Sequence, residues 1–310
     1  MKQERYRGIF TATCTPIDSE GRVMESVARS HVERQLACGV TGLLPIGGTG
    51  EFTAMTDAQR LSMLEFTISA AAGRVPVVAS VLHPGLQDTI RAARDYIRAG
   101  ADSVMVVTPF YSRATQQGIV DYFRRVSDAV DGDIVLYEIP YRTGVSLHPE
   151  TVQKIVEQTR TVAMKACNPD LQQQLRVVQA VGDRIAILSG EESVFPMHVA
   201  MGAVGGMLAG SNIFPRAWTR IFELAAEGDL RAATSLHAQL MPATDALYSE
   251  PNPGPLKAAL RLLGMDQGVL LEPLVWASDA CMERLQQLLP AALGLERSLE
   301  TISTLRRAPA

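Results

Sequence analysis

TVAMKACN (161–168) is the sixth of eight short apolar runs that recur along the chain, and together these runs decide the fold. Each run is rich in β-branched or small apolar residues and is closed by glycine, proline or a polar cluster, which is typical of a buried strand. The other seven runs are GIFTATCTP (8–16), GLLPIG (42–47), PVVASV (76–81), DSVMVVTP (102–109), DIVLYEIP (133–140), RIAILSG (184–190) and GGMLAGSN (205–212). The sequence therefore predicts eight strands.

Amphipathic segments separate the runs, for example MESVARSHVERQLACG (24–39), DAQRLSMLEFTISAAAG (57–73) and LQDTIRAARDYIRAGA (86–101), in which apolar residues recur with helical spacing. Apolar strands that alternate with helices imply a parallel sheet covered by helices, and eight such units close a barrel. A doubly wound open sheet would need a glycine-rich phosphate turn after an early strand, and GIFTATCTP is not followed by one. We therefore predict an α/β protein with a (β/α)8 TIM barrel.

The chain after the eighth run has helical patterns and no further strand-like run, in PRAWTRIFELAAEG (215–228), LRAATSLHAQLMPATDALYSE (230–250) and GPLKAALRLLG (254–264). The three prolines of PNPGP (251–255) predict a break between helices. We expect a barrel over residues 1–225 and a C-terminal helical region, packed on the barrel, over residues 226–310.

Composition favours small-molecule chemistry. The 29 Lys and Arg residues against 33 Asp and Glu residues leave a formal net charge of -4, without a broad basic field for nucleic acid or an anionic membrane. No run reaches the roughly 18 uncharged apolar residues of a membrane helix, and MKQERYRGIF (1–10) lacks a signal peptide's apolar segment. We expect a cytoplasmic protein that binds neither nucleic acid nor membrane.

The four cysteines are widely scattered and form no CxxC motif, and no histidine or cysteine has metal-ligand spacing. They are Cys14, Cys38, Cys167 and Cys281. We expect free thiols, with no structural disulfide, metal or cofactor.

Lys165 is unusual because the chain has only four lysines among its 29 basic residues, and this one lies inside an apolar strand. A buried ammonium group loses its hydration, so it must be paired or become the neutral amine. In a dry barrel mouth the pKa falls and the amine can attack a ketone to form a Schiff base. The structural alternative is an ion pair with Glu191 or Glu192, and the residues alone leave both open.

The strand ends support the chemical interpretation, because the active site of a TIM barrel lies at the carboxyl ends of its strands. Besides Lys165 on strand six, those ends carry GGTGEF (47–52), TPFYSR (108–113), YEIPYRTG (137–144), SGEE (189–192) and GGMLAGSN (205–212). Polar, glycine-rich and aromatic residues thus converge on the lysine.

In order and spacing these motifs resemble the dihydrodipicolinate synthase/N-acetylneuraminate lyase family of class I Schiff-base lyases, from about residue 6 to residue 300. The resemblance implies a barrel with a C-terminal helical region and an enzyme that acts on a small 2-oxo acid. It also implies a homotetramer built as a dimer of dimers.

The resemblance also implies catalytic residues. Lys165 matches the Schiff-base lysine, and Tyr137 matches the tyrosine that moves protons at the imine. Tyr111 matches a second tyrosine that in the family faces the dimer interface. The structural alternatives are a packed core tyrosine for Tyr137 and a purely interfacial residue for Tyr111.

The implied substrate-binding residues are Gly47, Gly48, Thr49, Arg142 and Met207. Gly48 and Thr49 match the loop whose backbone N–H groups form a nest for the carboxylate of the 2-oxo acid. Arg142 matches the arginine that receives the second substrate's carboxylate in the synthases, although a salt bridge on a loop is its structural alternative.

Two positions depart from the family pattern. Gly48 stands where the synthases carry a hydroxyl residue that relays protons between two tyrosines, and GGTGEF is more similar to the sugar-acid dehydratases of the family. Arg142, by contrast, is a synthase feature. Glu138 stands where asparagine is usual, and we expect its carboxylate near the mouth to disfavour a second anionic group unless Arg142 offsets it.

Three functions are consistent with these residues. The first is a Schiff-base lyase that acts on pyruvate or another 2-oxo acid by aldol-type chemistry. The second is a dehydratase or aldolase of 2-keto-3-deoxy sugar acids through the same imine. The third is a sensor that binds a 2-oxo acid without turnover, which Lys165 together with Tyr137 disfavours.

Overall fold

The computed structural model describes residues 3–307, and the side chains of residues 4–299. Its eight strands are β1 (Gly8–Ala12), β2 (Gly42–Leu44), β3 (Val78–Val81), β4 (Ser103–Val107), β5 (Asp133–Glu138), β6 (Thr161–Ala166), β7 (Ala186–Ser189) and β8 (Gly205–Leu208). They form one sheet in the order β2-β1-β8-β7-β6-β5-β4-β3, with parallel pairing throughout. A parallel bridge between Leu43 and Val77 joins the two end strands and closes the barrel.

Helices follow the strands and surround the barrel. They are α1 (Glu25–Ala37), α2 (Asp57–Ala71), α3 (Leu86–Arg98), α4 (Gln116–Ala129), α5 (Pro140–Thr143), α6 (Pro149–Gln158), α7 (Leu171–Val181), α8 (Phe195–Ala200), α9 (Pro215–Ala226), α10 (Leu230–Leu247), α11 (Gly254–Leu262) and α12 (Asp279–Arg307). Short 3-10 turns lie at Gln3–Tyr6, Glu192–Val194 and Gly210–Asn212. The predicted (β/α)8 barrel is confirmed.

Side-chain caps in the local sequence fix the starts of several helices. Thr56 accepts a hydrogen bond from the N–H of Gln59, and the Gln59 side chain accepts one from the N–H of Thr56, so α2 begins with a capping box. Asp170 and Asp229 each cap the start of a helix, α7 and α10 respectively. In each case a side-chain oxygen accepts a hydrogen bond from at least one backbone N–H group of the first turn.

The predicted strands are right in number and place, but all except β3, which ends at Val81 as predicted, are too long at their carboxyl ends. The run predicted over residues 102–109 is a strand only over Ser103–Val107, and the run over 205–212 ends as a strand at Leu208. The remaining residues turn away from the ladder into loops, because each strand leaves the hydrogen-bonded barrel at the mouth. These loops carry the residues of the candidate site.

The C-terminal helices pack against one another and against α9. The buried carboxylate of Glu296, on α12, accepts hydrogen bonds from the N–H groups of Arg216 and Ala217, at the start of α9. A negative charge at a helix N-terminus is stabilising. The predicted break at PNPGP is confirmed, since α10 ends at Leu247 and α11 begins at Gly254. The domain boundary after residue 225 stays a prediction.

None of the helices within residues 3–307 is both long enough and apolar enough to pass through a membrane.

Candidate active site

A cavity of about 570 Å³ opens at the carboxyl ends of the strands. Seven of the eight predicted site residues line it, namely Gly47, Gly48, Thr49, Tyr137, Arg142, Lys165 and Met207. They come from four different strands or strand ends, β2, β5, β6 and β8, so the barrel alone brings them together. A cavity of this size suits a small metabolite.

Lys165 lies on β6 directly beside Tyr137 of β5, because the two are paired in the register of the sheet. Its side chain is only 8% exposed, and its Nζ is 5.0 Å from the centroid of the Tyr137 ring. Burial lowers the pKa of the Lys165 amine; Cys167, Glu192 and Glu191 oppose that shift. A larger share of neutral, nucleophilic amine follows.

Lys165 forms no ion pair with Glu191 or Glu192. Within residues 4–299, the Nζ of Lys165 has no hydrogen-bond partner and no carboxylate oxygen within 4.0 Å. Glu191 and Glu192 line the same cavity but act on Lys165 from a greater distance. The amine therefore remains available to a ligand.

Tyr137 is equally buried, at 8% exposure. Burial raises the pKa of its hydroxyl well above the ordinary value, with further increases from Cys167 and Tyr141. The phenol therefore keeps its proton in the free protein. A neutral hydroxyl beside an amine can donate and recover a proton, which is what an imine-forming reaction requires.

The loop after β2 presents backbone N–H groups to the cavity. Glu51 and Phe52 donate backbone hydrogen bonds to the carbonyls of Gly48 and Gly47, which folds residues 47–52 into a tight turn. Within the described residues, the N–H groups of Gly48 and Thr49 donate to no protein acceptor. Two adjacent free N–H groups form a nest for an anion.

Gly50 and Gly48 in this loop differ in whether the surrounding atoms leave room for a side chain. A Cβ on Gly50 would lie 2.9 Å from the N of Ile46, so only glycine fits there. A Cβ on Gly48 would have the Nη1 of Arg142, 4.0 Å away, as its nearest neighbour. The absence of a hydroxyl at Gly48 is therefore not imposed by the backbone.

Glu192 places a carboxyl group on the wall of the cavity. Its Oε1 accepts a hydrogen bond of 2.7 Å from the N–H of Gly210, while its Oε2 is buried without a hydrogen-bond partner among the described residues. Burial raises the pKa of Glu192 to about 7, although the hydrogen bond from Gly210 lowers it. This carboxyl group can therefore exchange its proton near neutral pH.

The expectation for Glu138 is wrong. Its carboxylate is fully buried but does not line the cavity, because consecutive strand residues point to opposite faces and Tyr137 points inward. Glu138 Oε1 instead accepts hydrogen bonds from the N–H of Leu147 at 2.9 Å and from Asn168 Nδ2 at 3.1 Å. It holds the loop after α5 in place and does not enter the mouth.

Tyr111 is the one predicted site residue outside the cavity of its own chain. Its side chain is 95% exposed, and its backbone is in the left-handed region with φ +70°. Its catalytic role stays a prediction.

Sequence reasoning misses the contribution of the C-terminal helical region to the cavity wall. Asp245, Tyr248 and Asn252 line the cavity, together with Tyr141 from α5. PNPGP (251–255) predicts a helix break but gives no sign that Asn252 reaches the barrel mouth.

The comparisons with known proteins agree with this geometry. The sequence matches the model of the Dihydrodipicolinate synthetase family over residues 5–292. The chain belongs to this family. It is 34% identical to the 4-hydroxy-tetrahydrodipicolinate synthase of Methanothrix thermoacetophila over 285 residues, which cover 92% of this chain and 96% of that protein.

Solved structures of the dihydrodipicolinate synthetase family have the same fold. The dihydrodipicolinate synthase of Thermotoga maritima has a TM-score of 0.89 at 31% identity, with 93% of this chain and 99% of that chain covered. A monomeric dihydrodipicolinate synthase variant has a TM-score of 0.91 at 30% identity, with 95% and 99% covered. The predicted family and the predicted enzyme class, a lyase that works through a lysine Schiff base, are confirmed. The roles of individual residues stay predictions.

Proposed function

We propose that Lys165 forms a Schiff base with the ketone of pyruvate or another 2-oxo acid, and that the enzyme uses this imine for aldol-type chemistry. The observation that supports this most is a buried lysine with a lowered pKa and no ion pair, beside a buried tyrosine in the cavity at the barrel mouth. Such a lysine suits nucleophilic attack on a ketone, and the neighbouring phenol suits the proton transfers that follow.

The proposed reaction passes through a carbinolamine, an imine and an enamine on Lys165. The neutral amine of Lys165 attacks the ketone carbon, and the oxygen takes up a proton to give a carbinolamine. Tyr137 donates a proton to the departing hydroxyl, which leaves as water and gives the protonated imine. The imine withdraws electrons from the adjacent carbon, which gives a proton back to the Tyr137 oxygen and forms an enamine. The enamine carbon attacks an aldehyde, whose oxygen takes up a proton, and water finally releases the product and restores the lysine.

The carboxylate of the 2-oxo acid binds in the nest formed by Gly48 and Thr49. Those N–H groups are free of protein acceptors, and they lie on the same cavity as Lys165. Preorganised N–H donors stabilise an anion without reorganisation during the reaction. Arg142, whose side chain forms no ion pair with a described residue, supplies a cation for a second carboxylate.

The relatives named above are 4-hydroxy-tetrahydrodipicolinate and dihydrodipicolinate synthases, which favours condensation of pyruvate with aspartate semialdehyde. Two observations favour a second candidate, the dehydration of a 2-keto-3-deoxy sugar acid. The cavity wall carries Glu191, Glu192 and Asp245, while Gly48 lacks the relay hydroxyl. Carboxylates that accept hydrogen bonds suit a hydroxylated tail better than a second anion.

A steady-state comparison of the two substrate sets tests the proposal. Condensation of pyruvate with aspartate semialdehyde at a kcat/KM of about 10⁴ M⁻¹s⁻¹ or more supports the synthase activity. A negligible rate with that pair, together with turnover of a keto-deoxy sugar acid, supports the second candidate. No turnover of either set contradicts an enzymatic function at this site.

The assembly belongs to the same proposal. Tyr111 is 95% exposed and lies outside its own cavity, so it can reach a reacting group only in a second copy of the chain. The exposed Tyr111 favours a dimer with this residue at its interface. From the family resemblance we further expect a homotetramer built as a dimer of dimers, and we expect it in the cytoplasm. Mass measurement in solution tests the assembly, and a folded monomer with full activity contradicts it.

A further inference from the structure

The chain contains a second buried lysine that the proposed mechanism does not use. Lys257, on α11, is fully buried, and its Nζ lies 2.5 Å from Oε1 of Glu51, which is also fully buried. The same Nζ donates a hydrogen bond of 2.7 Å to the carbonyl of Val269. Burial of two charges carries a desolvation cost that their attraction rarely exceeds, so stability alone is a poor reason for such a pair.

The position of Glu51 suggests a different reason. Glu51 closes the turn that presents the anion nest, and its N–H donates to the carbonyl of Gly48 at 3.2 Å. Its Oε2 accepts a hydrogen bond of 2.8 Å from the N–H of Leu271. Both partners of this carboxylate, Lys257 and Leu271, thus belong to the chain beyond the barrel strands, more than 200 residues away in sequence.

A second tether joins the same two parts of the molecule. Asn252, just before α11, donates a hydrogen bond of 3.0 Å from Nδ2 to the hydroxyl of Thr49. The turn itself carries left-handed backbone at two non-glycine residues, Ile46 with φ +52° and Glu51 with φ +63°. Such conformations persist only where the surroundings fix them.

We propose that Lys257, Glu51 and Asn252 are positioning residues that hold the turn over residues 47–49 in the geometry that binds the carboxylate of the 2-oxo acid. This inference rests on the proposed function of the turn. The C-terminal helical region thereby takes part in substrate recognition without contributing the N–H groups themselves.

The test compares pyruvate with its uncharged methyl ester, methyl pyruvate. For each, the rate of adduct formation on Lys165 is measured by borohydride reduction and intact mass, which also separates the ester adduct from the acid adduct. The main variant is the double substitution Glu51→Met with Lys257→Met, which removes both charges and leaves neither buried alone. Lys154→Met, at an exposed lysine of α6, is the matched control.

The double variant should lose about 10- to 100-fold in the rate with pyruvate, because a displacement of about 1 Å in a binding group can cost 100-fold. Its rate with methyl pyruvate should stay within about twofold of wild type, since that ketone has no carboxylate for the nest. The control should leave both rates unchanged. An equal loss of rate with both ketones, or an unchanged rate with pyruvate in a folded variant, overturns the inference.

Asn252→Ala keeps the inference testable if the double variant does not fold, because it removes a tether without removing a charge. It should lower the preference for pyruvate over methyl pyruvate, and an unchanged preference overturns the inference. The proposed function fails in a different way: wild-type protein would then form no adduct on Lys165 with either ketone.

Discussion

Glu192→Gln tests the effect of burial on the pKa of the carboxyl group in the cavity wall. Glu192 is 6% exposed, and burial raises its pKa from 4.5 to about 7. The difference between these two pKa values corresponds to about 3 kcal/mol in the free energy of unfolding. Glutamine keeps an oxygen that can accept the hydrogen bond from Gly210 but carries no charge at any pH.

The raised pKa of Glu192 makes the folded protein less stable as the pH rises. Because the folded pKa lies above the unfolded one, the stabilising contribution of the protonated Glu192 is fully present below about pH 4.5. It is lost as the pH rises through about 7, where the buried group must ionise. The variant should therefore gain stability relative to wild type as the pH rises, up to a relative gain of about 3 kcal/mol.

Thermal unfolding at pH 5 and pH 8.5 measures this effect. With about 2 °C per kcal/mol for a chain of this size, the difference in Tm between variant and wild type should move by about 5 °C over that interval. Glu65→Gln, on an exposed position of α2, is the control and should show no such pH dependence. A difference in Tm that stays constant between the two pH values would refute the reasoning.

Three further substitutions test the site. Tyr137→Phe should keep the stability of wild type but lose roughly 10² to 10⁴ in turnover, because the proton carrier at the imine is removed; normal turnover would contradict its role. Gly48→Ser should fold normally, since its Cβ meets only Arg142 at 4.0 Å, and should raise the condensation rate by about 10-fold by restoring a relay hydroxyl; an unchanged rate would show that the hydroxyl is not limiting. Arg142→Ala should move the pH midpoint of adduct formation upward, because the guanidinium contributes to the lowered pKa of Lys165. A pH–rate profile measures that shift, with Arg142→Lys as the charge-preserving control.

The barrel and the Lys165–Tyr137 pair are predictable from sequence because both depend on local patterns. Strand periodicity locates β5 and β6, and the carboxyl ends of neighbouring parallel strands meet at one mouth. The same periodicity explains why the expectation of Glu138 at the mouth is wrong. Glu138 lies one residue beyond Tyr137 on the strand, so its side chain points to the opposite face.

The links between the barrel mouth and the C-terminal helical region are not predictable in this way. The bond from Asn252 to Thr49 joins residues 203 apart in sequence, and the Glu51–Lys257 pair is equally remote. No periodicity relates such positions, because tertiary packing alone decides which helix end covers which loop. Only the folded structure therefore reveals these contacts.

Borohydride trapping of wild-type protein with pyruvate tests the central claim most directly. The protein should gain the mass of one reduced pyruvyl group, and peptide mapping should place it on Lys165, because this amine has a lowered pKa and no ion pair. Lys165→Ala should gain nothing. Adduct on Lys154 or Lys257 instead, or no adduct with any 2-oxo acid, would contradict the Schiff-base mechanism.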